Sequence, residues 1–70
     1  MEILANRLHE LRKEKKLRQE DVAKGIGIAI YTYQRYEYGE REPLASVLRN
    51  LAAFFNVTTD YLVGLSDTRK

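Results

Sequence analysis

The chain has no cysteine, a single proline, a single histidine and four glycines in 70 residues. Without cysteine, neither a disulfide nor a thiolate zinc site can brace so short a chain. A chain of this length makes one small domain and buries only about 60% of the surface its unfolded form exposes. Regular helix packing, helped by dimerisation, is left to supply the stability. The lack of cysteine also suits a reducing compartment. No apolar run approaches the ~18 residues of a membrane span. The opening MEILANRLHE lacks the basic start and apolar stretch of a signal peptide, so a cytoplasmic location is expected. A lone histidine makes no metal site, and His9 reads as a half-exposed helix residue. Gly25 and Gly27 form only G-x-G, with no lysine-bearing phosphate loop. These absences argue against an enzyme and against a metal or cofactor.

The charge balance is nearly even, 12 basic against 10 acidic residues for a net +2. The distribution is less even. Arg12, Lys13, Lys15, Lys16 and Arg18 crowd into one short stretch. Such a run is either an ordinary solvated face or the electrostatic footprint of a nucleic-acid binder.

Apolar periodicity predicts an all-α fold of five helices. The first runs from about Glu2 to Lys15, with Ile3, Leu4, Leu8 and Leu11 on one stripe. The second runs from Gln19 to Lys24, its end bracketed by Gly25 and Gly27. The third runs from Ile30 to Tyr38 and stops at Gly39. Pro43 then belongs to a connection or a first helical turn. The fourth runs from Leu44 to Phe55, and its wide stripe predicts the most buried helix. The fifth, Thr59 to Val63, has Thr58 as its N-cap and Asp60 in its first turn. Residues 1–66 form one domain. Residues 67–70 have nothing to bury and are expected to fray.

The segment QEDVAKGIGIAIYTYQRYEY, from Gln19 to Tyr38, is the most informative. Val22, Ala23 and Ile26 make one apolar face, Gly27 suits a turn of positive φ, and Ile28, Tyr33 and Tyr36 make a second face. Ala23 is small where two helices must cross closely. That is the pattern of a helix-turn-helix, whose second helix enters the DNA major groove. Of the four tyrosines here, Tyr33 and Tyr36 are assigned to the core, and Tyr31 and Tyr38 to the surface.

With NRLHELRKEKKLRQEDVAKGIGI, RYEYGEREP and LRNLAAFFNVTTDYLVGLSD, the chain resembles the phage-repressor-like helix-turn-helix domains of the XRE or Cro type. The resemblance runs from about Asn6 to Ser66. It implies a compact five-helix bundle of the lambda-repressor-like kind, bacterial or phage-encoded. It further implies a sequence-specific double-stranded DNA-binding transcriptional regulator, a repressor before an activator, that binds an operator as a homodimer. Gln19 then resembles a phosphate anchor at the start of helix two. Arg12 and Glu37 match a salt bridge between helix one and the end of helix three. Ile30, Tyr31, Thr32, Gln34 and Arg35 occupy groove-facing positions, and Tyr38 and Arg41 those that touch the DNA backbone. Arg35 is the strongest candidate for reading a base, because a guanidinium can give two donors to guanine. Gln34 either reads adenine or faces solvent. The resemblance also favours dimerisation at the C-terminal end, through Phe55, Val57, Tyr61, Leu62 and Leu65.

The chain departs from that pattern at Ala29-Ile30-Tyr31. Ala29 is a poor N-cap, and Ile30 and Tyr31 offer no bidentate hydrogen bonds to bases. Readout by DNA shape gains room in consequence. The same apolar segment motivates the alternative of a protein-interaction module of this fold, such as an antitoxin or adaptor.

Overall fold

The computed structural model describes every residue from Met1 to Lys70 and contains five helices and no strand. They are α1 (Glu2–Glu14), α2 (Gln19–Ile26), α3 (Ile30–Glu37), α4 (Ala45–Phe55) and α5 (Thr59–Val63). Each contributes one of the largest fully buried side chains: Leu8, Val22, Tyr33, Leu51 and Leu62. The core is therefore a single cluster at which all five helices converge. Ala23, only 2% exposed, keeps α2 close to its neighbours. α2 packs on α3 and α4, while α1 packs on α3 and α5.

All five helices close in the same way. Just past each end a residue takes positive φ: Lys16, Gly27, Gly39, Asn56 and Gly64. The next amide reaches back five residues, as from Leu17 to the Arg12 carbonyl and from Ile28 to that of Ala23. Such closures satisfy carbonyls that a helix end leaves without partners. At Lys16 and Asn56 the left-handed conformation is taken without glycine. At the opposite ends, Thr58 caps α5 by accepting from the Tyr61 amide at 3.0 Å. Arg18 N–H donates to the Asp21 carboxylate at 2.8 Å at the start of α2. Ala29 offers α3 no side-chain cap.

Three expectations are corrected. α2 continues through Gly25 to Ile26, and only Gly27, at φ 77°, ends it. Gly25 serves packing instead: a Cβ there would lie 2.9 Å from Phe54 Cδ1 and closer still to Cε1. α4 is not the most deeply buried helix. Only Leu51, Ala52 and Phe55 are buried on it, and Leu44, just before it, is largely exposed. Finally, the last residues lie against the body. The Arg69 carbonyl accepts from Thr58 N–H at 2.9 Å, and its guanidinium holds Glu14 at 2.6 and 2.8 Å.

Candidate nucleic-acid interface

Arg12 joins three parts of the chain. Its Nε donates to Glu37 Oε2 at 2.9 Å and its Nη2 to Oε1 at 2.8 Å, while Nη1 donates to the Leu17 carbonyl at 2.8 Å. One guanidinium thus ties α1 to the end of α3 and to the connection before α2. The Glu37 side chain is 1% exposed. His9 Nδ1 lies 3.0 Å from Glu37 Oε1, and since a carboxylate only accepts, the histidine is the donor. Burial alone would raise the Glu37 pKa. The polar groups around it, the Arg12 hydrogen bonds first among them, outweigh burial and hold the carboxyl down to about 2. The same hydrogen bond raises the Arg12 pKa. Beside the pair, burial keeps the Tyr33 phenol neutral by raising its pKa, and its hydroxyl has no hydrogen-bond partner.

A second set of polar contacts extends from Glu37 toward the surface. Gln19, the first residue of α2, donates from Nε2 to Glu37 Oε1 and to the Tyr38 hydroxyl, each at 3.3 Å. Its Oε1 accepts from Gln34 Nε2 at 3.1 Å. Ile30, Gln34 and Tyr38 repeat every four residues, which places them on one stripe of α3. Tyr31 and Arg35 form the neighbouring stripe. Tyr31 is 66% exposed, and the Arg35 guanidinium carbon lies 5.8 Å from its ring centre. Arg35 Nε also stands 3.9 Å from Glu40. Ile30 is exposed, Thr32 half-buried, and Arg41 exposed past the end of α3.

The basic run is divided by this arrangement. Arg12 faces inward, and Arg18 pairs with Glu20 and Asp21, which leaves Lys13, Lys15 and Lys16 exposed. The expected C-terminal dimer residues are divided too. Phe55, Tyr61 and Leu62 are buried in the core of one chain, so they cannot also form an interface. Leu65 remains 80% exposed, and Val57 half-buried. A shallow cavity of about 450 Å³ lies between α2 and α4, lined by Gly25, Ile26, Asn50, Ala53 and Phe54. No three histidine, cysteine or carboxylate side chains are grouped to hold a metal ion. No helix is long and apolar enough to cross a membrane.

Sequence reasoning missed two members of the network. His9 bonds to Glu37, a partner that its place one turn before Arg12 could have suggested. The pairing of Gln19 with Gln34 joins residues 15 positions apart, and nothing in their spacing announces it.

Two short helices crossing at a glycine-closed turn, the second bridged to α1 and carrying an exposed stripe, constitute a helix-turn-helix unit inside a five-helix body. Residues 8–62 match the helix-turn-helix family model, and the chain belongs to that family. It is 38% identical over 66 residues to the cryptic phage CTXphi transcriptional repressor RstR of Vibrio cholerae, covering 94% of this chain and 60% of that protein. It is 43% identical over 61 residues to the uncharacterized HTH-type transcriptional regulator YobD of Bacillus subtilis, covering 87% of this chain and 54% of the other. The chain thus spans little more than half the length of these relatives. Its fold is similar to the DNA-binding domain of the P22 C2 repressor, with a TM-score of 0.82 and 29% identity over 94% of this chain and 90% of that one.

Proposed function

We propose that the protein is a sequence-specific double-stranded DNA-binding transcriptional regulator, a repressor before an activator. In this reading it binds its operator as a homodimer, with α3 in the major groove. The observation that carries the reading is the stripe of exposed Tyr31 and half-buried Arg35 on a helix whose far end is locked to α1 through Arg12 and Glu37. A reading helix must hold its side chains in fixed register, and that bridge holds α3 fixed. Arg35 reads guanine through two parallel donors, and Ile30, Tyr31 and Thr32 make apolar contacts with thymine methyls or contacts with phosphate. Gln19, Tyr38 and Arg41 grip phosphates, helped by the free amides at the start of α2. Exposed Lys13, Lys15 and Lys16 raise the local positive potential.

A homodimer through Leu65 and Val57 has to hold its two α3 helices about 34 Å apart, one turn of DNA, to read two half-sites. Occupancy of the operator is then the mechanism this domain supplies, since a repressor blocks polymerase by sitting on its site. The similarity to a phage repressor and to a DNA-binding repressor domain supports this reading. Selection of fragments from a genomic library with the purified protein tests it. Recovery of an inverted repeat is expected. Recovery of no preferred sequence would overturn it and turn attention to Ile30 and Tyr31 as a protein-docking surface.

A further inference from the structure

Gln34 faces the start of α2 and not the stripe that carries Arg35. Its Nε2 donates to Gln19 Oε1, and Gln19 Nε2 then points at Glu37 Oε1 and at the Tyr38 hydroxyl. The orientation of the Gln19 amide follows from chemistry. Glu37 is held ionised by Arg12, so it can only accept, and the NH2 group of Gln19 must face it. The Gln19 carbonyl oxygen is thereby turned toward α3, where Gln34 is the donor that meets it. From these contacts we propose that Gln34 is a positioning residue for the phosphate-binding amide of Gln19 and does not read a base.

The chain of contacts has two consequences. The Gln19 amide has two hydrogens: one goes to Glu37, and the other now goes to the Tyr38 oxygen at 3.3 Å. That second hydrogen is the one a phosphate oxygen would take. The Tyr38 hydroxyl, relieved of accepting, still has its own proton to donate to the same phosphate group. Two donors then converge at the junction of α2 and α3, and Gln34 keeps one of them aimed. α3 is divided accordingly: its Gln34–Tyr38 stripe serves the backbone grip, and its Tyr31–Arg35 stripe serves the bases.

The inference rests on the reading of Gln19 as a phosphate anchor, and its test separates the two. Gln34→Met keeps the length and helix preference of the side chain and removes the donor. Affinity is measured for the selected duplex and for duplexes carrying each single base substitution, with wild type, Gln34→Met, Gln19→Ala and the double variant. Gln34→Met is expected to weaken every duplex by about the same factor, near tenfold for one lost charge-assisted contact, with the base preference profile unchanged. The double variant is expected to bind no more weakly than Gln19→Ala, since both changes remove one contact. Loss confined to one base pair, or additive effects, would overturn the inference and return Gln34 to base reading. The DNA-free protein supplies an independent readout: Gln34→Met should shift the side-chain amide resonances of Gln19 in a nitrogen–proton spectrum, and unchanged resonances would contradict the positioning. A Gln19→Ala variant that binds every duplex as tightly as wild type would overturn the anchor reading itself, whatever the spectrum shows.

Discussion

Arg12→Ala would leave the Glu37 carboxylate almost wholly enclosed with only His9 and Gln19 as partners. Truncating one member of a buried pair costs about 3–5 kcal/mol. A chain of this length has roughly 4–10 kcal/mol of total stability. Urea unfolding of Arg12→Ala should therefore find a domain near its unfolding limit; a loss within a few tenths of a kcal/mol would show that the bridge does not brace α3. The same carboxylate makes stability depend on pH. Its folded pKa, about 2, lies below the unfolded value, so its ionisation stabilises the fold above the unfolded pKa and that contribution disappears as pH falls toward 2. Wild type should lose stability across that acid range, and Glu37→Gln should lose visibly less. Arg35→Ala acts differently, because Arg35 bridges no helices. It should keep the fold and relax preference at one base pair of the site by about 1–3 kcal/mol, seen by comparing single-base variants of the duplex. An equal loss on all duplexes would place Arg35 on phosphate.

At the scale of elements, α3 begins with an alanine whose backbone, at φ −67° and ψ 145°, already has an N-cap conformation without a capping oxygen. Ala29→Ser should supply it and stabilise the domain by about 1 kcal/mol, raising Tm by roughly 4–8 °C. No rise in thermal melting would mean that the first amides of α3 are satisfied in another way. This weak cap was legible from the residue's place in the sequence, as was the Thr58 cap of α5. So was the division of tyrosines, with Tyr33 and Tyr36 buried and Tyr31 and Tyr38 exposed. These features are local or periodic, and a one-dimensional pattern carries them. What was not legible depends on which helix lies opposite. Gly25 looked like a helix stop until Phe54 of α4 was seen against it. The apolar stripe of α4 promised deep burial, but Val47, Leu48 and Phe54 stay half-buried. Lys16 and Asn56 end helices in a conformation for which glycine is the ordinary signal. In the site, the resemblance pointed to Arg12 with Glu37, whereas the bond between Gln34 and Gln19 exists only because α2 and α3 cross at that point.

For the whole molecule, burial of Phe55, Tyr61 and Leu62 in one chain's core narrows any dimer contact at the C-terminal end to Leu65 and its surroundings. Leu65→Ser should leave the melting of the monomer unchanged. It should weaken binding to a duplex with two half-sites far more than binding to one, because it removes the linkage between two binding events. Equal effects on both duplexes would locate the dimer contact elsewhere. Net charge, only +2, gives little attraction over the whole surface, so affinity for DNA must come from placement: three exposed lysines before α2, Arg35 on α3 and Arg41 just past it. The most direct test of that account is the salt dependence of affinity for the selected duplex and for a shuffled duplex of the same composition. Between about 50 and 200 mM salt both affinities should fall steeply on parallel lines, as phosphate contacts release counterions, while the selected duplex stays at least about 10³-fold tighter throughout. An affinity that ignores salt, or two duplexes that bind alike, would contradict the claim that α3 reads base sequence while its neighbours grip the phosphate backbone.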